Sequence, residues 1–141
     1  MNPGVYVISG GTLKINANAN VSGAGVMFYL TNGAQLSLNG NATMNISAAT
    51  TGTYSGLLFY GDRTMAYASQ TINGNASSLF TGAVYFPSQD IRLLGNFSGA
   101  GGCMQVIADT IYYTGSSTFT TNCVTSGMAT ITVPGAVSLA E

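Results

Sequence analysis

The chain is nearly without charge. Of its 141 residues three are Lys or Arg, four are Asp or Glu and none is His, so charged residues make up 5% of the sequence, against about 25% in ordinary soluble domains. With a net charge of −1 and no basic patch, it lacks the electrostatic footprint by which proteins hold nucleic acid. Two cysteines and no histidine are too few for a zinc site built from the usual ligands, and no cofactor is implied. No apolar run approaches the roughly 20 residues that a membrane-spanning helix needs. Met1-Asn2-Pro3-Gly4 leads into a strand-like segment with no signal peptide ahead of it. That abrupt opening is expected of a piece of a longer exported protein whose targeting segment lies elsewhere. Helices find no room either: Gly, Asn, Ser and Thr interrupt every window long enough for an apolar stripe of helical period.

What is present is 46% hydrophobic residues set among Ser, Thr and Asn. Neutral polar residues of this kind suit β-structure, where Thr is favoured and Asn can bond its own kind along a ladder. The chain is long enough for one domain, 1–141, with a continuous core. Its near-zero charge gives little protection against self-association.

One motif recurs. Gly82-Ala83-Val84-Tyr85-Phe86 has variants at Gly4-Val5-Tyr6-Val7-Ile8, Gly25-Val26-Met27-Phe28-Tyr29, Gly56-Leu57-Leu58-Phe59-Tyr60 and Cys103-Met104-Gln105-Val106-Ile107. After each comes a second short β-prone run: Leu13-Lys14-Ile15, Gln35-Leu36-Ser37-Leu38, Gln70-Thr71-Ile72, Ile91-Arg92-Leu93-Leu94 and Thr110-Ile111-Tyr112-Tyr113. Most of these end in a Gly/Asn turn: Asn39-Gly40-Asn41, Asn73-Gly74-Asn75, Gly95-Asn96 or Gly115-Ser116. A weaker third run follows at Val21-Ser22, Thr43-Met44-Asn45-Ile46-Ser47, Ser78-Leu79-Phe80, Phe97-Ser98 and Thr118-Phe119-Thr120. Asn-Gly between apolar runs normally signals a β-hairpin, but a meander gives no reason for one order of strands and turns to recur five times. Stacked coils do. The sequence therefore predicts an all-β, right-handed, single-stranded parallel β-helix of about five coils, a stack roughly 24 Å tall at the spacing of paired strands, with the hand taken from the general rule for parallel crossovers. Residues 124–141 would form a partial coil or cap, and the longest insertions, 48–55 and 62–69, would bulge from corners.

Cys103 takes the place of the leading glycine, and Cys123 falls where the next coil would begin. Neighbouring coils bring such positions to about 4.8 Å, within reach of a disulfide. A Cys103–Cys123 bridge and an oxidising, extracytoplasmic compartment are expected; two buried thiols are the alternative.

Side chains alternate across a strand. Aligning the leading glycines puts Val5, Val7, Val26, Phe28, Leu57, Phe59, Ala83, Tyr85, Met104 and Val106 inside. The opposite set, Tyr6, Ile8, Met27, Tyr29, Leu58, Tyr60, Val84, Phe86 and Ile107, with Gln105, then forms an apolar outer face larger than monomers usually leave wet. Either a protein partner, a second copy included, covers it, or the loops and C-terminal tail of the same chain do.

Asp62, Asp90 and Asp109 would gather near one corner, with Arg63 and Arg92 close by. Grouped carboxylates can supply acid/base pairs for cleaving glycans; strand-end aspartates more often accept backbone N–H bonds and pair with arginine. Asn-x-Ser/Thr occurs at Asn20, Asn41, Asn45, Asn75 and Asn96, as composition alone would produce. Thr110, Thr114, Thr118, Thr120, Thr121, Thr125, Thr130 and Thr132 crowd the C-terminal end but share no coil offset, which argues against a regular ice-binding face.

Several longer phrases carry a family resemblance. They are Gly4-Val5-Tyr6-Val7-Ile8-Ser9-Gly10-Gly11, Tyr54-Ser55-Gly56-Leu57-Leu58-Phe59-Tyr60-Gly61-Asp62-Arg63, Gly82-Ala83-Val84-Tyr85-Phe86-Pro87-Ser88, Gly95-Asn96, Val106-Ile107-Ala108-Asp109-Thr110-Ile111 and Leu139-Ala140-Glu141. Together they are similar to the C-terminal region of TadE/TadG-like proteins of bacterial tight-adherence (Flp-type) pilus loci. The resemblance implies an exported, pilus-associated or envelope protein with a role in assembly or adhesion, an N-terminal hydrophobic helix outside this stretch, and no catalytic residues to carry over. The competing expectation is a carbohydrate-binding or polysaccharide-cleaving β-helix using Asp62, Asp90 and Asp109.

Overall fold

The computed structural model describes residues 1–75, 77–95, 103–115 and 123. All regular structure in these residues is β, and the strands stack in parallel as a solenoid of about five turns. The first coil is β1 (Gly4–Ser9), β2 (Thr12–Ile15) and β3 (Asn20–Ala24); the second is β4 (Val26–Thr31), β5 (Gln35–Leu38) and β6 (Thr43–Ser47). The third holds β7 (Leu57–Gly61) and β8 (Ser69–Gly74). It is completed by the start of β9 (Leu79–Gly95), which runs on through the fourth, and β10 (Met104–Thr114) forms the fifth. One face stacks β1, β4, β7, β9 and β10, a second stacks β2, β5, β8, β9 and β10, and a third pairs β3 with β6 and β6 with β9. Every leading and second run read from the sequence became a strand, as did the first three of the weaker third runs. Phe97-Ser98, Thr118-Phe119-Thr120 and the expected cap at 124–141 lie outside the described residues.

The corners explain the Gly/Asn turns. The Asn41 amide donates to Asn39 Oδ1 (3.1 Å) and the Ser77 amide to Asn75 Oδ1 (2.9 Å), side-chain turns that bend the chain without further residues. Successive corners pack so closely that a methyl at Gly95, where φ is +96°, would strike Gly74 O and one at Gly115 would strike Gly95 O. A side chain is excluded there by space and by backbone conformation alike.

The core is a set of apolar columns running along the stack. Tyr6, Phe28, Phe59, Val84 and Val106 form one, and the rings of Phe28 and Phe59 stack with centroids 5.1 Å apart. Ile8, Leu30, Gly61, Phe86 and Ala108 form the next, with Gly61 leaving room for the Phe86 ring. On the second face Ile15, Leu38, Ile72 and Leu93 align. Among the described residues three polar side chains are buried with them, and all are bonded: Gln70 Oε1 accepts from the Leu36 amide (2.6 Å), Gln70 Nε2 donates to Gln89 Oε1, and Ser78 Oγ donates to Ala42 O and accepts from the Met44 amide.

Two expectations about register are corrected. The leading glycines do not all align: Gly4 lies beside Val26, and Met104 rather than Cys103 lies beside Gly82, each a slip of one residue. A bulge between Leu57 and Phe59 adds a third shift. Because side chains alternate, each slip exchanges inside for outside. Val5, Val7 and Tyr85 therefore face outward, while Tyr6, Ile8, Leu58, Val84 and Phe86 face the core. Cys103 and Cys123 are bridged, with Cα atoms 5.4 Å apart, as their spacing of one coil required.

Candidate interaction face

With the register known, the outer surface of the first face can be assembled. One outward column runs Val5, Met27, Leu57, Ala83 and Gln105; its neighbour runs Val7, Tyr29, Tyr60, Tyr85 and Ile107. Of the nine residues expected to form an interaction face, Met27, Tyr29, Tyr60 and Ile107 are on it. Val5, Val7, Leu57 and Tyr85 belong to it and were assigned to the core. Aligning the chain on tyrosines instead of glycines would have recovered Tyr85 alone, since Tyr29, Tyr60 and Tyr85 share one column while Tyr6 of the first coil faces the core.

The tyrosines form a ladder. Tyr29 and Tyr60 have ring centroids 5.5 Å apart, tilted by 54°; Tyr60 and Tyr85 are stacked at 5.3 Å and 24°; and Arg63 Cζ lies 5.4 Å from the Tyr85 centroid. The rings are thus turned towards one another along the stack, with a cation at one end. Their edges and hydroxyls, not their flat faces, are what the surface offers, which disfavours the face-on stacking by which aromatic platforms take planar ligands. Beside the ladder Val5, Met27, Tyr29, Tyr54, Leu57 and Tyr60 line an apolar groove of about 310 Å³. Tyr54 comes from the compact 48–56 loop, where the Ser55 amide donates to Gly52 O and the Gly56 amide to Ala49 O. This loop overhangs one edge of the face and leaves much of it open: Val5 is 46% and Val7 59% exposed.

Asp62 anchors the far side. Its Oδ1 accepts from the Thr64 amide (2.9 Å) and Thr64 Oγ1 (2.8 Å), and its Oδ2 from the Tyr29 hydroxyl (3.0 Å) and Thr31 Oγ1 (3.1 Å). The Thr64 bonds, then that from Tyr29, hold the carboxyl down at about 2 against the opposing pull of partial burial. The same bond, with burial and the carboxylate charge, pushes the Tyr29 hydroxyl up.

The other aspartates are held separately. Asp90 accepts from Ser69 Oγ and from Thr110 Oγ1 (2.9 Å), while Asp109 is exposed where the β9–β10 register breaks. Arg63 and Arg92 lie over Tyr85 and Tyr112. Among the described residues no three or more His, Cys, Asp or Glu are grouped to hold a metal.

A second concavity, of about 400 Å³, opens at the corner lined by Asn39, Gly40, Asn41, Asn73, Gly74, Asn75 and Gly95. Asn75 is committed within it, donating to Ala42 O (3.0 Å) and accepting from Ser77 and Ser78. Asn20, Asn41 and Asn45 are exposed, and Asn96 lies outside the described residues. Of the threonine cluster only Thr110 and Thr114 are described, both in β10.

No family model, curated protein or solved structure matches the chain. Among the described residues no helix is long and apolar enough to cross a membrane.

Proposed function

We infer that the chain is a non-enzymatic structural or adhesive module of an exported bacterial protein, acting at the envelope or a Tad/Flp-type pilus through protein–protein or surface contacts. The observation that carries this is the outward apolar and tyrosine face running along the coils. Exposed Val5 and Val7, the Tyr29–Tyr60–Tyr85 ladder and Ile107 form a continuous strip of the kind that marks contact surfaces. The Cys103–Cys123 bridge and the pilus-family resemblance support an extracytoplasmic setting.

The second reading is carbohydrate recognition or cleavage involving Asp62, Asp90 and Asp109; the corner cleft offers neutral amides that suit sugar hydroxyls, but none of the three aspartates lines it. A glycan array probed with the wild type, Tyr60→Ala and Asp90→Asn separates the two. Surface binding that Tyr60→Ala weakens and Asp90→Asn leaves intact is the expected result for an adhesin. Absence of glycan binding is the result for a protein-binding scaffold, and glycan turnover that stops with Asp90→Asn overturns the non-enzymatic reading.

A further inference from the structure

Asn-Gly occurs three times, at Asn32-Gly33, Asn39-Gly40 and Asn73-Gly74. In this dipeptide the side-chain carbonyl carbon lies within reach of the next backbone nitrogen, which glycine leaves unshielded. How each corner is held decides whether the two can meet. At the corner after β5 the Asn39 main chain is pinned: its amide donates to Ile15 O (3.0 Å) and its carbonyl accepts from the Ala42 amide (3.0 Å). The Asn41 amide donates to Asn39 Oδ1 (3.1 Å), which folds the Asn39 carboxamide back over the Gly40 peptide. Among the described residues neither the Gly40 amide nor Asn39 Nδ2 has a hydrogen-bond partner. Asn39 is exposed and lines the concavity of about 400 Å³, so water reaches it.

The other two copies are held differently. Asn32 is also exposed, but its Nδ2 donates to Ser9 Oγ (2.8 Å), and among the described residues nothing donates to its Oδ1. Asn32 and Gly33 both have left-handed φ, +54° and +75°, in a turn closed by the Ala34 amide on Thr31 O (3.1 Å). Asn73 and Gly74 end β8 and pair with Leu94 and Gly95. Asn73 Oδ1 is wedged between two corners, where a methyl at Gly40 would lie 2.5 Å and one at Gly95 2.6 Å from it. Asn39 alone of the three combines a polarised carbonyl, an unbonded nitrogen beside it and an untied side-chain amine.

We propose that Asn39 is a self-modifying site, converted through a cyclic imide with Gly40 to a mixture of isoaspartate and aspartate. The Gly40 nitrogen gives its proton to hydroxide and attacks Asn39 Cγ, forming an N–C bond within one chain, with the advantage that intramolecular reactions have. Negative charge gathers on Oδ1, where the Asn41 amide already donates, as a group that stabilises an oxyanion must. Nδ2 takes a proton from water as its bond to Cγ breaks, and leaves as ammonia. Water then opens the ring at either carbonyl. One opening gives aspartate; the other gives isoaspartate, in which the main chain runs through the side-chain carbon. No reactant but water is consumed. Either product adds a carboxylate to a chain that has four and a net charge of −1. The isoaspartyl form also lengthens the main chain by one carbon at a corner where Gly40 packs against Asn73, which loosens the second coil from the third. The proposal is independent of the adhesive reading, which uses the outer face.

Ageing the full chain in warm, mildly alkaline buffer, both folded and in urea, tests it. Tandem mass spectrometry locates the replacement of the side-chain amine by oxygen, and enzymatic methylation counts isoaspartate. In urea the three sites should react nearly alike, since they share one dipeptide. In the folded chain Asn39 should react at least as fast as in urea. It should also outpace Asn32 about tenfold, the scale of one hydrogen bond to the developing oxyanion, while folding slows Asn32 and Asn73. Isoaspartate should exceed aspartate at position 39, and Asn39→Ser should abolish the modification in that peptide. Folding that protects Asn39 as strongly as Asn32 and Asn73 overturns the proposal, as does a folded chain in which Asn32 reacts first. Aspartate at position 39 without isoaspartate overturns the imide route. Each of these outcomes leaves the adhesive function untouched.

Discussion

The Gln70 side-chain amide donates to Gln89 Oε1 inside an otherwise apolar core, joining two coils at a point where neither side chain reaches water. Gln70 Oε1 takes the Leu36 amide and Gln89 Nε2 reaches Ala66 O (3.4 Å), so the pair ties the second coil to the loop beyond β7. Gln70→Leu strands both the Leu36 amide and the Gln89 carbonyl. It should cost about 2–3 kcal/mol, the penalty for buried polar groups left unmade, read as a lowered urea midpoint. The double change Gln70→Leu, Gln89→Leu should cost less than the sum of the single changes, because the two side chains share a bond.

The tyrosine ladder makes a separate prediction. Tyr60 contacts a ring on either side. Tyr60→Ala removes both contacts and should destabilise by about 1–3 kcal/mol at 0.5–1.5 per aromatic pair, whereas Tyr29→Ala and Tyr85→Ala each remove one. Double-mutant cycles by chemical denaturation should give Tyr60 a coupling of about 0.5–1.5 kcal/mol with each of Tyr29 and Tyr85, which separates the ring contacts from the Asp62 bond and the Arg63 contact that the two outer variants also lose.

Asp62 sets the acid response. Its carboxyl titrates at about 2 in the fold against 3.8 for the ordinary group. A depressed carboxylate contributes stability that is present above the unfolded value and is lost as pH falls through the folded one. Thermal midpoints of wild type and Asp62→Asn should therefore differ most above about pH 4 and converge towards pH 2. Tyr29 has the opposite sign: its raised hydroxyl contributes below the ordinary value of 10.0 and that contribution fades as pH rises beyond it. A difference between wild type and Asp62→Asn that stays constant from pH 2 to 5 would show that the four bonds to this carboxylate do not bear on folding.

Reducing the Cys103–Cys123 bridge, or replacing both cysteines by Ser, should cost about 3 kcal/mol for a loop of this size. The loss should be local: exchange should quicken in β10 first and in β4 and β5 last.

Much of this architecture could be read directly from the residues, and the misreadings share one cause. Gly40, Gly74 and Gly95 mark corners because a tight turn leaves a chemical signature, and Cys103 and Cys123 gave themselves away by lying one coil apart. Which side of each strand faces in was harder. Aligning Gly4 with Gly25 and aligning Tyr6 with Tyr29 imply registers two residues apart, the observed register lies between them, and nothing local to Gly4-Val5-Tyr6 selects it. The choice is made by long-range packing: Tyr6 gains the Phe28 ring only if Gly4 sits beside Val26. The bulge after Leu57 is equally silent, since an extra apolar residue in an apolar run looks like its neighbours. The partners of Asp62 were hidden for a related reason, because Tyr29 and Thr31 lie more than thirty positions away.

The bridge between Cys103 and Cys123 also decides how the molecule bears a mechanical load. Tension applied to the chain beyond Cys123 passes through the sulfur atoms straight to Cys103, so the pull bypasses β10 and is delivered to the coils before it. Under such a load β10 is not the first strand to be peeled away unless a reductant cuts the clip.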